Sequence, residues 1–199
     1  MKLYYTVISA FSRKCRILIR ELNIKEEVQE VLTTMRSVDS VIMSINPTGK
    51  VPALINKDNK LITESYAICN YLEEIANTNI NSKNINNDWS INGYETVACQ
   101  ILESIVYRSI EKNNKPKKFI HEETTNYEKF KVNRALDFLE NKASEFNNGI
   151  NRVQITICLA FNTMSKNFPA ENWANKRPLL NEIVENFMKR KSFIETQNQ

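Results

Sequence analysis

Asn46-Pro47-Thr48-Gly49-Lys50-Val51-Pro52-Ala53-Leu54, followed nine residues on by Thr63-Glu64-Ser65, decides how this chain folds. Val51 and Ala53-Leu54-Ile55 have strand-forming sequence, yet Pro52 among them lacks the N–H that a sheet ladder needs. A proline at such a point, just past a turn, marks a bend or a cis bond, which X–Pro adopts at low cost. Either keeps the N–H and C=O of Val51 out of the chain's own sheet, where an extended peptide could pair with them as a short added strand. Lys50 puts a positive charge beside that edge. Leu61-Ile62-Thr63 then runs into Glu64-Ser65, with Ser65 in the N-cap position before the apolar series Ala67, Ile68, Tyr71, Leu72 and Ile75. The N-terminus of that helix would receive a carboxylate. Cation, backbone edge and helix end together describe a pocket for a small zwitterionic peptide.

These residues carry a resemblance. The pattern N-P-x-G-x-[VI]-P-x-L with a following E-S-x-A-I, here Glu64-Ser65-Tyr66-Ala67-Ile68, is similar to the glutathione site of the glutathione S-transferases, and most of all to bacterial members of about this length. The resemblance implies a thioredoxin-like first domain, a helical second domain and glutathione as co-substrate. It implies conjugation of glutathione to a small electrophile, and a homodimer. Lys50 would meet the glycine carboxylate, with a solvated turn lysine as the competing reading. Val51 would pair through its backbone, Glu64 would face the ammonium, and Ser65 with the helix amides would take the γ-glutamyl carboxylate. The family's further basic residue about fourteen positions before Val51 falls here on Ser37, with Arg36 beside it.

Glutathione chemistry needs a stabilised thiolate, because a thiol with pKa near ~8.5 is mostly protonated at neutral pH. The turn Ile8-Ser9-Ala10-Phe11-Ser12-Arg13 supplies two hydroxyls at a helix start. Ser9 matches the activating serine of serine-type members, four residues before Arg13, and Ser12 is the runner-up. Ala10 departs from the family's Ser-Pro pair, and Tyr5 lies too early to act as the tyrosine of tyrosine-type classes. The cysteine that omega and beta members carry near this point is absent, which argues against mixed-disulfide chemistry. The resemblance puts an electrophile pocket between the domains, with Phe11, Tyr107 and Arg108 as candidates by position. Isomerisation and peroxide reduction stay open as reactions. A non-catalytic interaction protein resembling the stringent starvation proteins is the alternative, disfavoured because such a module has no need of both Val51-Pro52 and Glu64-Ser65.

Composition narrows the classes further. The 199 residues, 42% hydrophobic and 25% charged, suit an ordinary globular protein able to bury a substantial core. A net charge of +4 with scattered basic residues gives no nucleic-acid footprint, and Lys112 to Lys118 reads as a solvated turn. Cys15, Cys69, Cys99 and Cys158 form no C-x-x-C pair, so neither a zinc site nor a dithiol motif is supported, and buried thiols are expected. His121, beside Glu122 and Glu123, reads as a helix-start residue, and Trp89 and Trp173 as packing. Met1-Lys2-Leu3-Tyr4-Tyr5 lacks a signal peptide's apolar run and no stretch reaches membrane length, so a cytoplasmic protein is expected.

Working outward, Leu3 to Val7 reads as a strand, and Phe11, Cys15, Leu18 and Leu22 as a helix closed by Asn23. Val28 to Leu32 is a strand, Val38 to Ile45 a helical turn, and Val51–Ile55 with Lys60–Thr63 a hairpin around Asn56-Lys57-Asp58-Asn59. With the helix from Ser65, the order β-α-β-α-β-β-α is thioredoxin-like over 1–76. The asparagine-rich stretch 77–88 reads as a linker, and 89–199 as an all-helical domain. There Val153 to Met164 is apolar nearly all round, hence a buried central helix. Asn151 and Gln154 stand as its capping box, with Asn151→Ala expected to cost on the order of 1 kcal/mol. Pro178 opens the last expected helix.

Overall fold

The structure, a computed structural model, describes residues 1–80 and 89–197. It comprises two compact units, Met1–Ile80 with Arg190–Gln199, and Asn81–Lys189.

The first unit holds a four-stranded sheet. Strands β1 (Lys2–Tyr5), β2 (Gln29–Leu32), β3 (Ala53–Ile55) and β4 (Leu61–Thr63) lie in the order β2-β1-β3-β4. β1 and β2 are parallel, joined through helix α1 (Ala10–Glu21), as a parallel pair requires a crossover. β3 is antiparallel to both β1 and β4. The short helix α2 (Val41–Ile45) precedes β3, and α3 (Ser65–Ile75) follows β4. This is the order read from the sequence. Helices α1 and α3 pack on each other and on the sheet, burying Cys15, Ile17, Leu18, Ile68, Cys69 and Leu72 with Leu3 and Leu54. The apolar repeats of the two helices supply that face.

Helix α1 is capped one residue earlier than expected. Leu22 is the C-cap, and Asn23 follows at φ +57°, a left-handed position that asparagine tolerates. The Asn23 and Ile24 amides close the turn on Arg20 O and Ile19 O, both at 3.1 Å. The hairpin turn is tied by the Asn56 side chain, whose Oδ1 accepts from the amides of Asp58 and Lys60.

The second unit comprises α4 (Ser90–Asn114), α5 (Glu122–Phe146), α6 (Arg152–Asn167) and α7 (Pro178–Met188). Helix α6 is buried from Arg152 to Phe161 and packs on α4 and α7, the central position its sequence calls for. Its N-terminus differs from a reciprocal capping box. Asn151 Oδ1 accepts from the Gln154 amide at 3.0 Å, but Gln154 Nε2 reaches Phe146 O at 2.9 Å instead of the Asn151 amide. Asn151 Nδ2 donates to the same carbonyl at 2.6 Å, so two side chains cap the C-terminal end of α5. At the start of α6 the buried Arg152 pairs with the buried Glu95 at 2.9 Å.

The helical region does not run unbroken to the C-terminus. A short helix α8 (Lys191–Glu195) belongs with the first unit. The reason is polar as well as apolar. Arg13 of α1 lies over the Phe193 ring at 4.0 Å and donates to Phe193 O at 2.9 Å and to Thr196 Oγ1 at 3.3 Å. Glu21 accepts two hydrogen bonds from Arg190, each 2.9 Å, and one from Ser192. Residues 81–88 of the expected linker lie outside the described residues.

Candidate functional site

The strand pairing brings four chain segments to one end of the sheet. Tyr5, which ends β1, pairs with Leu32, which ends the parallel β2. Tyr4 pairs with Ala53, which begins the antiparallel β3, and Ala53 pairs with Thr63, which ends β4. The loop to Ser9, the loop holding Arg36, the approach Lys50-Val51-Pro52 and the exit Glu64-Ser65 therefore share this end.

Val51–Pro52 is a cis bond, and the ladder begins only at Ala53, so the Val51 N–H and C=O stand outside it. The turn before it is organised by Asn46, fully buried. Its Nδ2 donates to Lys50 O at 2.8 Å and to Thr63 Oγ1 at 3.1 Å, and its Oδ1 accepts from the Thr48 amide and hydroxyl at 3.1 and 3.0 Å. One side chain thus ties the approach to β3 to the end of β4. Gly49 has φ +64°, a left-handed conformation that favours glycine, and a Cβ there would push aside the exposed Met43 side chain. The Lys50 side chain is exposed.

At the start of α3 the N-cap is Glu64, one residue before the expected Ser65. Glu64 has φ +75° and ψ 137°, which keeps it out of the helix, and Ser65 is the first helical residue. Glu64 Oε2 accepts from the Tyr66 amide at 3.4 Å, and Oε1 accepts from the Ser65 hydroxyl at 3.0 Å. The Glu64 side chain is exposed, whereas Ser65 is buried. A carboxylate thus stands beside the amide-rich end of an eleven-residue helix.

Ser9 is the N-cap of α1, half-buried, and its Oγ accepts from the Ser12 amide at 3.1 Å. A hydroxyl that accepts through a lone pair still has its proton to donate. Ser12 Oγ, by contrast, is fully buried and makes no hydrogen bond among the described residues. Tyr5 lies within β1, its ring under the Arg16 guanidinium at 4.2 Å. Arg16 and Arg20 tie α1 to β2 through Glu30, Arg16 Nε at 2.7 Å. Burial pushes the Glu30 carboxyl up, but hydrogen bonds from Arg20 and Arg16 outweigh it and hold the pKa below its ordinary value.

The remaining predicted residues divide between the units. Phe11 is half-buried on α1, and Arg36, at φ +65°, is exposed. Tyr107 on α4 is 40% exposed. Its neighbour Arg108, expected to line a pocket, is turned inward. The Arg108 guanidinium is 3% exposed, forms a two-pronged ion pair with Glu171 and lies over Phe168 at 4.1 Å. A charge buried on one face of α4 finds its partner sixty-three residues away, which position along the chain does not reveal. His121 is the N-cap of α5, its Nδ1 bonded to Thr124, as its sequence setting implies. Trp173 stacks on Phe161 at 3.7 Å, but Trp89 is 75% exposed and does not serve as packing. Among the described residues no group of three or more His, Cys, Asp or Glu could hold a metal ion, and no helix is long and apolar enough to cross a membrane.

Asn46 and Arg13 are the residues the sequence reading passed over. Asn46 stands inside the quoted motif, and its one sequence signal is an asparagine opening the Pro47-Thr48-Gly49 turn. Arg13 was read only as a landmark for Ser9.

Residues 3–80 match the family model of the glutathione S-transferase N-terminal domain. Over 204 aligned residues the chain is 28% identical to an uncharacterized GST-like protein, YibF, of Escherichia coli K12, covering 99% of this chain and 98% of that one. Among solved structures it is similar to a glutathione transferase family member from Pseudomonas fluorescens Pf-5 with bound glutathione, at TM-score 0.92 and 21% identity. That match covers 100% of this chain and 98% of the other. It is also similar to a glutathione S-transferase from Methylobacillus flagellatus with GSH bound, at TM-score 0.86 and 22% identity, covering 100% and 99%. These likenesses extend the same fold over both units.

Proposed function

Residues 3–80 belong to the glutathione S-transferase N-terminal domain family, and from that premise we propose that the chain binds glutathione, lowers its thiol pKa through Ser9 and delivers the thiolate to a small electrophile. The observation that carries this reading is the convergence at one sheet end of the Val51 backbone edge, the Glu64–Ser65 helix start and the Ser9 cap. Glutathione is an extended tripeptide with a thiol in its middle residue. Its cysteinyl N–H and C=O would pair with Val51, which demands no particular side chain. The γ-glutamyl carboxylate would lie on the amides at the start of α3, and its ammonium against Glu64. Lys50 and Arg36 are exposed cations at the glycine end. Glutathione bound in structures of similar fold supports the ligand.

Thiolate stabilisation would follow from the way Ser9 is held. Its oxygen already accepts from the Ser12 amide, which polarises the hydroxyl and strengthens it as a donor. The positive end of α1 adds to the preference for a negative sulfur. The buried and sealed Ser12 hydroxyl favours Ser9 over its runner-up. The thiolate would then attack the electrophilic carbon, whose leaving group departs with the bonding pair. Phe11 and Tyr107 are the remaining candidates for electrophile contact, since Arg108 is engaged with Glu171. Assembly as a homodimer, a cytoplasmic place and a role in detoxification belong to the same reading.

The test is a calorimetric titration of glutathione into the wild type, Ser9→Ala and Glu64→Ala, with the bound thiol titrated by its thiolate absorbance. Binding that weakens sharply in Glu64→Ala is expected. Ser9→Ala should still bind, but with the bound thiol's pKa raised by about 1–2 units, the worth of one hydrogen bond to a charged group. No heat in the wild type and no competition with a glutathione analogue would sink the enzyme reading and leave the interaction-protein alternative.

A further inference from the structure

The geometry points to a redox modification site: Cys15 and Cys69 form a disulfide under a hydroperoxide, and that disulfide weakens glutathione binding at the sheet end above it. The spacing of the cysteines along the chain holds no local dithiol motif, but folding makes one from residues fifty-four positions apart. Cys15 Sγ lies 4.0 Å from Cys69 Sγ, one on α1 and one on α3, where those helices pack. Both side chains are fully buried. Cys15 Sγ also touches Ser65 O at 3.9 Å, so the pair abuts the first residue of α3.

The chemistry requires one thiol to ionise and attack the peroxide oxygen. The O–O bond breaks, a sulfenic acid forms, and the departing oxygen leaves as water or an alcohol after taking a proton. The second sulfur then attacks the sulfenic sulfur. The S–S bond forms, the S–O bond breaks, and the hydroxide leaves with the second thiol's proton as water. Two electrons pass from the two thiols to one hydroperoxide. Burial and the neighbouring Cys69 push the Cys15 thiol up, so the first step is slow and suits a small oxidant. With the second sulfur already in contact, the sulfenic acid is captured before it can be oxidised further.

The consequence for the site is geometric. A disulfide needs its sulfurs about 2.05 Å apart, so a 4.0 Å contact must close by about 2 Å. Rotation of the two side chains supplies part of this, and the rest draws α1 and α3 together. Cys15 is six residues beyond the Ser9 cap and Cys69 five residues beyond the Glu64 cap, so the closure acts within about 7–9 Å of both caps along their helices. That coupling rests on the glutathione reading above. The disulfide itself does not.

The experiment treats the reduced full-length protein with hydrogen peroxide, blocks remaining thiols with N-ethylmaleimide under denaturing conditions and maps tryptic peptides by mass. Cys15 lies in the dipeptide Cys15-Arg16, so the expected product is that dipeptide joined to the peptide beginning at Leu61, released by dithiothreitol. Cys15 and Cys69 both recovered as maleimide adducts, or as sulfinic or sulfonic acids, would overturn the disulfide, as would linkage to Cys99 or Cys158. Mapping the wild type avoids dependence on a core variant that fails to fold. Oxidised and reduced protein are then titrated with glutathione. A loss of affinity on the order of tenfold is expected on oxidation, the scale of one hydrogen bond to a charged group. Equal affinity of both forms overturns the regulation, whereas no binding by the reduced form overturns the glutathione reading and leaves the disulfide result standing.

Discussion

Glu64 holds its carboxylate at the helix start from a backbone conformation that glycine would adopt more readily, and substituting it separates folding from binding. At φ +75° and ψ 137° a residue with a Cβ is strained by about 1–3 kcal/mol. Glu64→Gly removes that strain. Against the gain stand the extra freedom of glycine in the unfolded chain, about 0.5–1 kcal/mol, and a few tenths for the N-cap, whose bond to the Tyr66 amide is long at 3.4 Å. The Ser65 hydroxyl also loses its acceptor, worth about 0.5–1 kcal/mol. The contributions nearly cancel, so Glu64→Gly should melt within about 3 °C of the wild type. Glu64→Ala keeps the strain and loses both bonds, a cost of about 1–2 kcal/mol, or roughly 3–8 °C.

Glycine is already preferred to alanine at an N-cap, and relief of the backbone strain should widen that gap beyond what the cap alone would give. In glutathione titrations the two variants should behave alike. Each would remove the proposed carboxylate–ammonium pair, worth about 1.5–3 kcal/mol, so affinity should fall roughly ten- to hundredfold in both. Scanning calorimetry supplies the melting temperatures and isothermal titration the affinities. A Glu64→Gly protein less stable than Glu64→Ala would refute the assignment of strain at this residue. A Glu64→Gly protein that binds as tightly as the wild type would refute the ammonium contact.

Asn151→Ala should cost about 2–3 kcal/mol instead of the single capping term read from sequence, because the buried Asn151 side chain holds both the Gln154 amide and Phe146 O. Thermal denaturation should show a fall of about 5–10 °C, and an unchanged Tm would count against the cap. Asn46→Ala should lose a comparable 2–3 kcal/mol and most glutathione affinity, while Val51→Ala, which keeps the backbone edge, should bind within about threefold of the wild type. Titration heats for the pair check this, and equal losses in both would show that the Val51 side chain is itself a contact. Glu30 has a folded pKa below its unfolded value near ~4.3, so the stability it contributes is present above that pH and is lost as pH falls through the folded pKa. Glu30→Gln should lower the Tm at neutral pH and flatten its decline below about pH 4, and a decline parallel to the wild type's would exclude Glu30 as its source.

What was legible in the sequence was local. Pro52 in strand-like sequence, the Glu64-Ser65 pair and the apolar repeats of α1, α3 and α6 each act through neighbours within a few residues, and they give the element order and the sheet end that carries the site. The one-residue error at the start of α3 has a physical cause. Ser65 is a good N-cap by type, but Glu64 takes a left-handed φ after β4 and caps the helix itself, so the helix begins one residue earlier than its composition suggests. Polar contacts between distant residues were not legible. Arg108 was placed by its position beside Tyr107, and only the folded chain brings it to Glu171. Arg13 binds Phe193 and Thr196 across 180 and 183 residues, so the tail's return to the first unit leaves no trace in helical periodicity. Trp89 was read as packing by residue type alone, and its exposure shows the limit of that argument.

The same contrast separates what the proposed glutathione site needs from backbone and what it needs from side chains. The groups that would face glutathione at its centre are backbone: the Val51 N–H and C=O and the amides at the start of α3. Any side chain can supply them, provided the chain is held in the right path. The residues that hold the path are few and chemically demanding. Gly49 is needed for its positive φ, and Asn46 for four hydrogen bonds that no apolar residue reproduces. A scaffold of this kind places its constraint on turn and cap residues, leaving helix faces free to change as long as they stay apolar. The thiol pair beneath the caps is a different matter, because contact between Cys15 and Cys69 depends on two helix-face positions that packing alone would fill equally well with alanine or valine.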